Sequence, residues 1–354
     1  MSRFFSAKYA NLTPYTPGEQ PKDTQYVKLN TNESPFPPSP NALRMAAEAA
    51  GNLQLYSDPE CQDLVKKAAE VFQVAQDEIL FTNGSDEVLN FAFMAFCDET
   101  HPVVFPDISY GFYKVFAALN RIPYEEIPLV EDFSIDHKAY CGIHKTIVIA
   151  NPNAPTGMVL STAQIEEIVK TNPGNVVVID EAYVDFGGES VIPLIHKYDN
   201  LLVTGTFSKS RSLAGGRLGF GIGCKELIRD LNTIKYATNP YNINRMTLAA
   251  GVGTLMDQEY VQSNCQTIMQ VRQWTAKQLE AAGFILTDSK ANFLFAMHPK
   301  ADGKEIYLRL KKKGVLIRHF DTPRLCRYNR ITVGSRQQMG IFLEKLNEVL
   351  EELL

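Results

Sequence analysis

Short apolar runs that recur between helical patterns constrain this chain more than any other feature. Ile79-Leu80-Phe81-Thr82 precedes Asn83-Gly84-Ser85-Asp86-Glu87 and an apolar helical pattern through Phe96. Val103-Val104-Phe105 precedes a helix from about Tyr110, and Ile147-Val148-Ile149-Ala150 leads through a turn to a helix over Thr162 to Lys170. Val176-Val177-Val178-Ile179 ends at Asp180, and Leu201-Leu202-Val203-Thr204 runs into a lysine-bearing segment, Thr206 to Arg217. Runs this short and apolar on both faces belong in a sheet covered on both sides, and their alternation with helices predicts parallel βα units. The expected class is α/β, with a mainly parallel central sheet between helices.

The texture changes after about residue 250. A long helical pattern through Val271-Arg272-Gln273-Trp274 to Ala282-Gly283 is followed by Asn292-Phe293-Leu294-Phe295, a helix around Ile306 to Lys313, Val315-Leu316-Ile317-Arg318, Arg330-Ile331-Thr332-Val333 and an amphipathic helix to Leu354. This pattern predicts a smaller α+β unit. The first forty residues, ending in Asn32-Glu33-Ser34-Pro35-Phe36-Pro37-Pro38-Ser39-Pro40, carry too many prolines for regular structure, since each removes a donor and fixes φ. The expected organisation is an extended arm over 1–40, a large domain over 41–250 and a small C-terminal domain over 251–354.

Bulk properties narrow the function. At 354 residues, with 45% apolar and 21% charged residues and a net charge of -5, the chain reads as an ordinary globular protein and not as a nucleic-acid binder. Lys311-Lys312-Lys313 reads as the polar face of a helix ending at Gly314. Met1 to Lys8 has no apolar signal core, so a cytoplasmic location is expected. The six cysteines form no C-x-x-C pair and the six histidines show no ligand spacing, which predicts free thiols and no metal.

In open α/β sheets ligands sit beyond the carboxyl ends of the strands, and the chemistry-bearing residues fall there. Thr206-Phe207-Ser208-Lys209 sets one lysine among hydroxyls, with Arg217 eight positions on. A lysine amine forms Schiff bases with carbonyl compounds, while hydroxyls and a guanidinium hold phosphate; together they meet the needs of pyridoxal phosphate (PLP). Gly84-Ser85-Asp86 opens a helix, where it either receives a phosphate or simply caps. Asp180, closing an apolar run, is either the partner of a cationic ring nitrogen or a salt-bridging aspartate. Asn151-Pro152-Asn153-Ala154-Pro155-Thr156-Gly157 makes an irregular loop after another strand.

Taken together and in this order, these motifs resemble the fold-type-I PLP-dependent aminotransferases. Carrying the resemblance are T-x-S-K at Lys209, Arg217 downstream, Asp180-Glu181-Ala182-Tyr183 placed 29 residues before the lysine, the N-P-N-x-P-T-G loop and the Gly84 turn. Lys28-Leu29-Asn30-Thr31-Asn32-Glu33-Ser34-Pro35, Tyr56 before Pro59-Glu60, Ser109-Tyr110-Gly111 and Arg330-Ile331-Thr332-Val333-Gly334 make it closest to the histidinol-phosphate aminotransferase branch, over essentially the whole chain. The resemblance implies that Lys209 links covalently to the cofactor and shuttles the substrate proton, with Asp180 on the pyridine nitrogen and Tyr183 on the ring hydroxyl. It further implies that Tyr110 stacks on the ring, that Ser85, Asp86, Ser208 and Arg217 hold the phosphate near Thr206, and that Tyr56 reaches it from the second subunit of a homodimer.

One position departs from the pattern. The residue before Pro155-Thr156-Gly157 is commonly an asparagine bonded to the ring hydroxyl, and here it is Ala154. Tyr183 then carries that bond alone, or Asn153 or a water substitutes. Arg318 and Arg330, each at the end of an apolar run, read either as snorkelling surface cations or, by resemblance, as the substrate's phosphate site, with Tyr15 of the arm closing over it. The implied reaction exchanges histidinol phosphate and 2-oxoglutarate with imidazole-acetol phosphate and glutamate. Rival readings are a threonine-phosphate decarboxylase, a broad aromatic or histidine aminotransferase and, remotely, a ligand sensor built on the same fold.

Overall fold

The structure, a computed structural model, describes residues 2–10, 12–21 and 25–354. Residues 1, 11 and 22–24 of the expected arm lie outside the described residues. The arm contains a short 3-10 turn, Ala7–Tyr9, and strand β1, Val27–Lys28. It ends where Ser39 caps α1 (Pro40–Ala50), its side chain accepting from the Ala42 N–H.

The central unit follows as α2 (Gln62–Phe72), β2 (Ile79–Thr82), α3 (Ser85–Phe96), β3 (Val103–Pro106), α4 (Phe112–Asn120), β4 (Tyr124–Ile127), β5 (Thr146–Ala150), α5 (Thr162–Thr171), β6 (Val177–Asp180), β7 (Leu201–Thr206), β8 (Gly219–Gly223), α6 (Lys225–Thr238) and α7 (Arg245–Met256). Its sheet has the order β2-β8-β7-β6-β5-β3-β4, and only β8 runs against the rest. The period-two alternation of strand side chains divides the core between the two faces. Ile147, Ile149, Val177, Ile179, Leu201 and Val203 pack on one face beneath α1, α2, α5 and α7, whereas Val148, Val178 and Leu202 pack on the other beneath α3, α4 and α6. Double coverage explains why the runs are apolar without alternation. Asp180 continues the second face, in register with Ala150 and Thr204.

Two strands of this sheet escape the run-and-helix reading. Strand β8, Gly-Phe-Gly-Ile-Gly, lacks the expected β-branched signature; a Cβ on Gly219 would fall 2.2 Å from the Ser85 nitrogen, so the missing side chain lets the strand approach the start of α3. Edge strand β4 is largely exposed and carries two glutamates, which blunt an open edge.

The remainder comprises α8 (Gln258–Ala281), β9 (Ile285–Leu286), β10 (Phe293–Met297), α9 (Gly303–Lys312), β11 (Val315–Leu316), β12 (Arg318–His319), β13 (Tyr328–Thr332) and α10 (Arg336–Leu353). Strands β12-β13-β10-β9 form an antiparallel sheet, and β1 pairs in parallel with β11. The single run read at Val315 to Arg318 is therefore two strands in two sheets, because β11 takes the arm as its partner while β12 takes β13. This core is separate, built from Leu294, Ile306, Ile331, Met339 and Phe342 among others. Among the described residues no helix is long and apolar enough to cross a membrane.

Candidate active site

The carboxyl ends of β2, β3, β5, β6 and β7 converge on a cleft of about 250 Å3 lined by Ser85, Asp86, Tyr110, Ala154, Asp180, Tyr183, Thr206, Ser208, Lys209 and Arg217. Each was singled out in the sequence. Tyr110 precedes α4 instead of opening it, and Gly84, not Ser85 or Asp86, is the N-cap of α3. Gly84 has φ +80°, which favours glycine, and a Cβ there would lie 2.4 Å from Arg217 Nη2 and displace the guanidinium.

At this end of the cleft the polar groups are already connected. Arg217 Nη2 lies 3.0 Å from Asp86 Oδ2, and the Tyr110 hydroxyl donates to Asp86 Oδ1 at 2.6 Å. Thr206 Oγ1 donates to Ser208 Oγ at 2.9 Å and accepts from the Ser208 N–H at 3.1 Å, and Arg217 Nη1 is 3.5 Å from Ser208 Oγ. Arg217 itself adopts φ +56°, unfavourable by about 1 kcal/mol or more for a residue with a Cβ. Burial and the neighbouring Asp86 push the Tyr110 phenol up, so it stays a donor.

Asp180 is buried and, among the described residues, has no cationic partner. The Tyr113 hydroxyl donates to its Oδ2 at 3.0 Å, and the Ala182 N–H reaches Oδ1 at 3.3 Å. Burial pushes its carboxyl up to about 6 despite those bonds. Nothing in the sequence singles out Tyr113, whose ring meets that of Tyr110 edge-on at 5.7 Å. Glu181, also buried, points elsewhere: it accepts from Ser190 Oγ at 2.6 Å and the Val191 N–H at 2.7 Å, and burial pushes it up to about 8.

Lys209 Nζ donates to the Thr31 carbonyl at 3.2 Å and lies 5.8 Å from the Tyr183 ring centre. Asn153 is turned away from the cleft. Its amide donates to the Ile108 carbonyl at 2.9 Å and to Thr156 Oγ1 at 3.2 Å, while Oδ1 accepts from Ser109 at 2.8 Å. With both amide hydrogens used, Asn153 does not substitute for the asparagine missing at Ala154. Tyr56 does not line the cleft; it is 80% exposed and stacks on Tyr241 at 4.7 Å.

Beyond Lys209, Tyr110, Tyr183 and Ala154 the cleft opens into an outer cavity of about 820 Å3. Tyr15 roofs it, stacked on Phe112 at 4.2 Å. Arg318 and Arg330 face each other across β12 and β13. Lys114 and Arg324 have acids here, Glu126 at 2.7 Å and Asp107 at 3.7 Å, whereas Arg318, Arg330 and Lys209 enter no ion pair among the described residues. Arg330 Nη2 donates to the Asn30 carbonyl at 3.0 Å, and its Nε is buried without a partner. Burial and the adjacent Arg318 pull the Arg330 guanidinium below its ordinary range, so an anion is what this pair lacks.

A doubly covered α/β sheet, a lysine and a buried aspartate at its strand ends and a separate C-terminal sheet that adds two arginines define a class, and residues 24–346 match the family aminotransferase class I and II, to which the chain belongs. Two curated relatives narrow the comparison: the histidinol-phosphate aminotransferase of Brachyspira hyodysenteriae (strain ATCC 49526 / WA1) is 46% identical over 99% of this chain and 100% of its own length, and that of Clostridium beijerinckii (strain ATCC 51743 / NCIMB 8052) is 44% identical over 99% and 98%. Among solved structures, histidinol-phosphate aminotransferase from Sinorhizobium meliloti in complex with pyridoxal-5'-phosphate superposes with a TM-score of 0.85 at 25% identity, covering 92% of this chain and 91% of that one. The fold is that of the fold-type-I PLP aminotransferases.

Proposed function

We propose that this chain is a PLP-dependent transaminase that interconverts histidinol phosphate and 2-oxoglutarate with imidazole-acetol phosphate and glutamate. The observation that carries the reading is the pair Arg318–Arg330, two adjacent cations without an acid among the described residues, in a cavity that Lys209 also lines. A phosphorylated substrate supplies the missing charge, and planar guanidinium forks suit a phosphate ester. The full-length relatives named above support the same substrate.

PLP fits the residues present. Asp180 is a buried carboxyl lacking a cation, which a protonated pyridine nitrogen supplies, and the first turn of α3 with Ser208 and Arg217 forms a cup for a phosphate. Bound there, the cofactor supplies an electron sink beside the substrate carbon. The chain does the rest: Lys209 anchors the aldehyde and moves the proton at that carbon, Tyr183 donates to the ring oxygen, Tyr110 covers the ring face, and Ser85, Asp86, Thr206, Ser208 and Arg217 fix the phosphate end. Tyr15 roofs the outer cavity over Arg318 and Arg330 and excludes water.

The exposed Tyr56 belongs, in this reading, to the phosphate cup of a second copy, making the working form a cytoplasmic homodimer with shared sites. The chain divides into an arm, a large domain that runs through α7 to Met256 instead of ending at 250, and a small one to 354. Half-reaction rates with histidinol phosphate, threonine phosphate, histidine and phenylalanine, read from the cofactor spectrum, test the function. The phosphorylated imidazole amine is expected to react fastest; loss of carbon dioxide from threonine phosphate, or equal rates with unphosphorylated amines, would sink it.

A further inference from the structure

With alanine at 154 and Asn153 bonded elsewhere, Tyr183 is the one side chain that remains of those the resemblance places on the ring oxygen, and its hydroxyl's orientation matters. Ala154 presents only a methyl group, packed against Tyr183 and Phe293. A phenol hydroxyl has one hydrogen, so the groups bonded to its oxygen decide where that hydrogen points. Here the bonded group comes from the arm. Asn32 Nδ2 donates to the Tyr183 oxygen at 2.9 Å.

The direction of that bond follows from a backbone hydrogen, whose position is unambiguous. The Asn32 N–H donates to Thr332 Oγ1 at 2.9 Å, so Thr332 turns its own hydrogen elsewhere, and Asn32 Oδ1 lies 3.0 Å away to accept it. With its oxygen committed to Thr332, the Asn32 amide faces Tyr183 with N–H, and the tyrosine accepts. Asn32 is buried, holds φ +56°, and has its carbonyl tied by Asn292 Nδ2 at 3.0 Å. Asparagine tolerates this left-handed conformation better than most residues. The amide is thus pinned on both sides before anything binds.

We propose that Asn32, oriented by Thr332 of β13, is a positioning residue that turns the Tyr183 hydroxyl hydrogen into the cleft and so offsets the donor lost at Ala154. The inference rests on the PLP reading. It names a relay running from the C-terminal sheet through the arm to the cofactor's ring oxygen, with Asn32 acting only through Tyr183. Lys209, Arg330, Tyr15 and Tyr110 also face Tyr183. They stay constant across the variants below, so differences between variants report on the relay.

The readout is the pH midpoint of the absorbance change of the lysine-linked cofactor in purified holoprotein. A donor to the ring oxygen favours its deprotonated form, so Tyr183→Phe should raise the midpoint by about one unit. Asn32→Ala should raise it by a measurable part of that shift, and should add nothing once Tyr183 is already Phe. Thr332→Val, which keeps the shape and removes the hydroxyl, should move the midpoint the same way, and Thr332→Ser should restore it. An Asn32→Ala shift that persists undiminished in the Tyr183→Phe background, or no shift in its absence, overturns the inference. If Asn32→Ala does not fold, the Thr332 pair decides: an unchanged midpoint in Thr332→Val overturns the relay. An unaltered chain that shows no lysine-linked absorbance with added PLP instead sinks the parent reading, and the relay with it.

Discussion

The two ends of the active-site cleft handle charge in opposite ways. At the inner end, Arg217 is already paired with Asp86, which also receives the Tyr110 hydroxyl, and Thr206 and Ser208 bond each other. At the outer end, Arg318 and Arg330 stand side by side and, among the described residues, have no acid, while a buried Arg330 Nε has no partner there. The inner end is built around strand ends of the central sheet, and its arginine is already neutralised by Asp86. The outer end takes both arginines from the C-terminal sheet and, among the described residues, leaves their charge unmet. In the proposed function that charge belongs to the substrate's phosphate, which a net positive cavity attracts.

Lys209 stands at the seam and serves both ends, so Lys209→Ala should have the largest effect. It should remove the absorbance of the lysine-linked cofactor and lower kcat by about 10⁴-fold, the upper range for a positioned proton-transfer group. Substantial residual turnover in a stopped-flow assay would show that some other group carries the proton. Arg330→Ala comes next and separates the ends. Truncating a desolvated charge that pairs with a ligand costs about 2–5 kcal/mol, so kcat/KM for histidinol phosphate should fall by about 10³-fold while the affinity for PLP hardly changes. Arg217→Ala should give the reverse pattern, weakening PLP binding in a spectroscopic titration by about a hundredfold because Asp86 is left without its cation. If both variants lose cofactor and substrate affinity alike, the two ends are not independent and the contrast drawn between them fails.

The inner end was far more legible than the outer end in the sequence, for a physical reason. Strand-ending motifs such as Asp180 and Lys209 lie beside apolar runs whose burial is visible from composition, and the sheet order then brings them together. The strands themselves were legible where buried faces carry β-branched residues, as in Val177–Asp180, and missed in the equally buried glycine strand Gly219–Gly223, where close approach to α3 takes the place of side chains. What the sequence did not reveal depends on long-range contact. Tyr113 is an ordinary helix residue until β6 brings Asp180 to 3.0 Å, and Asn32 is one of several polar residues in a proline-rich arm until β13 supplies Thr332, 300 positions away. Arg318 and Arg330 were visible as residues, but their facing positions follow from a β12–β13 register that splits what looked like one strand.

Asp180 offers the smallest and most diagnostic test, because the cofactor-free chain should be penalised for keeping it. Its folded carboxyl is raised to about 6, above the roughly 3.9 of an unfolded aspartate. Between those values the folded state holds a proton that the unfolded state has released, so stability falls as pH rises from about 4 to about 6 and stays reduced above. Asp180→Asn should therefore stabilise the cofactor-free protein by about 3 kcal/mol at pH 7 and leave it unchanged below pH 4, as read from denaturant midpoints across pH. Saturating PLP should abolish or reverse that gain, since the unaltered carboxylate then has a cation to face. Glu181, raised to about 8 by burial but tied to Ser190 and Val191 outside the cleft, serves as the internal comparison: substituting it should alter stability to the same extent with and without PLP. Equal behaviour of the two neighbours would mean that Asp180 is a structural acid, and that the inner end was not built around a cationic ring.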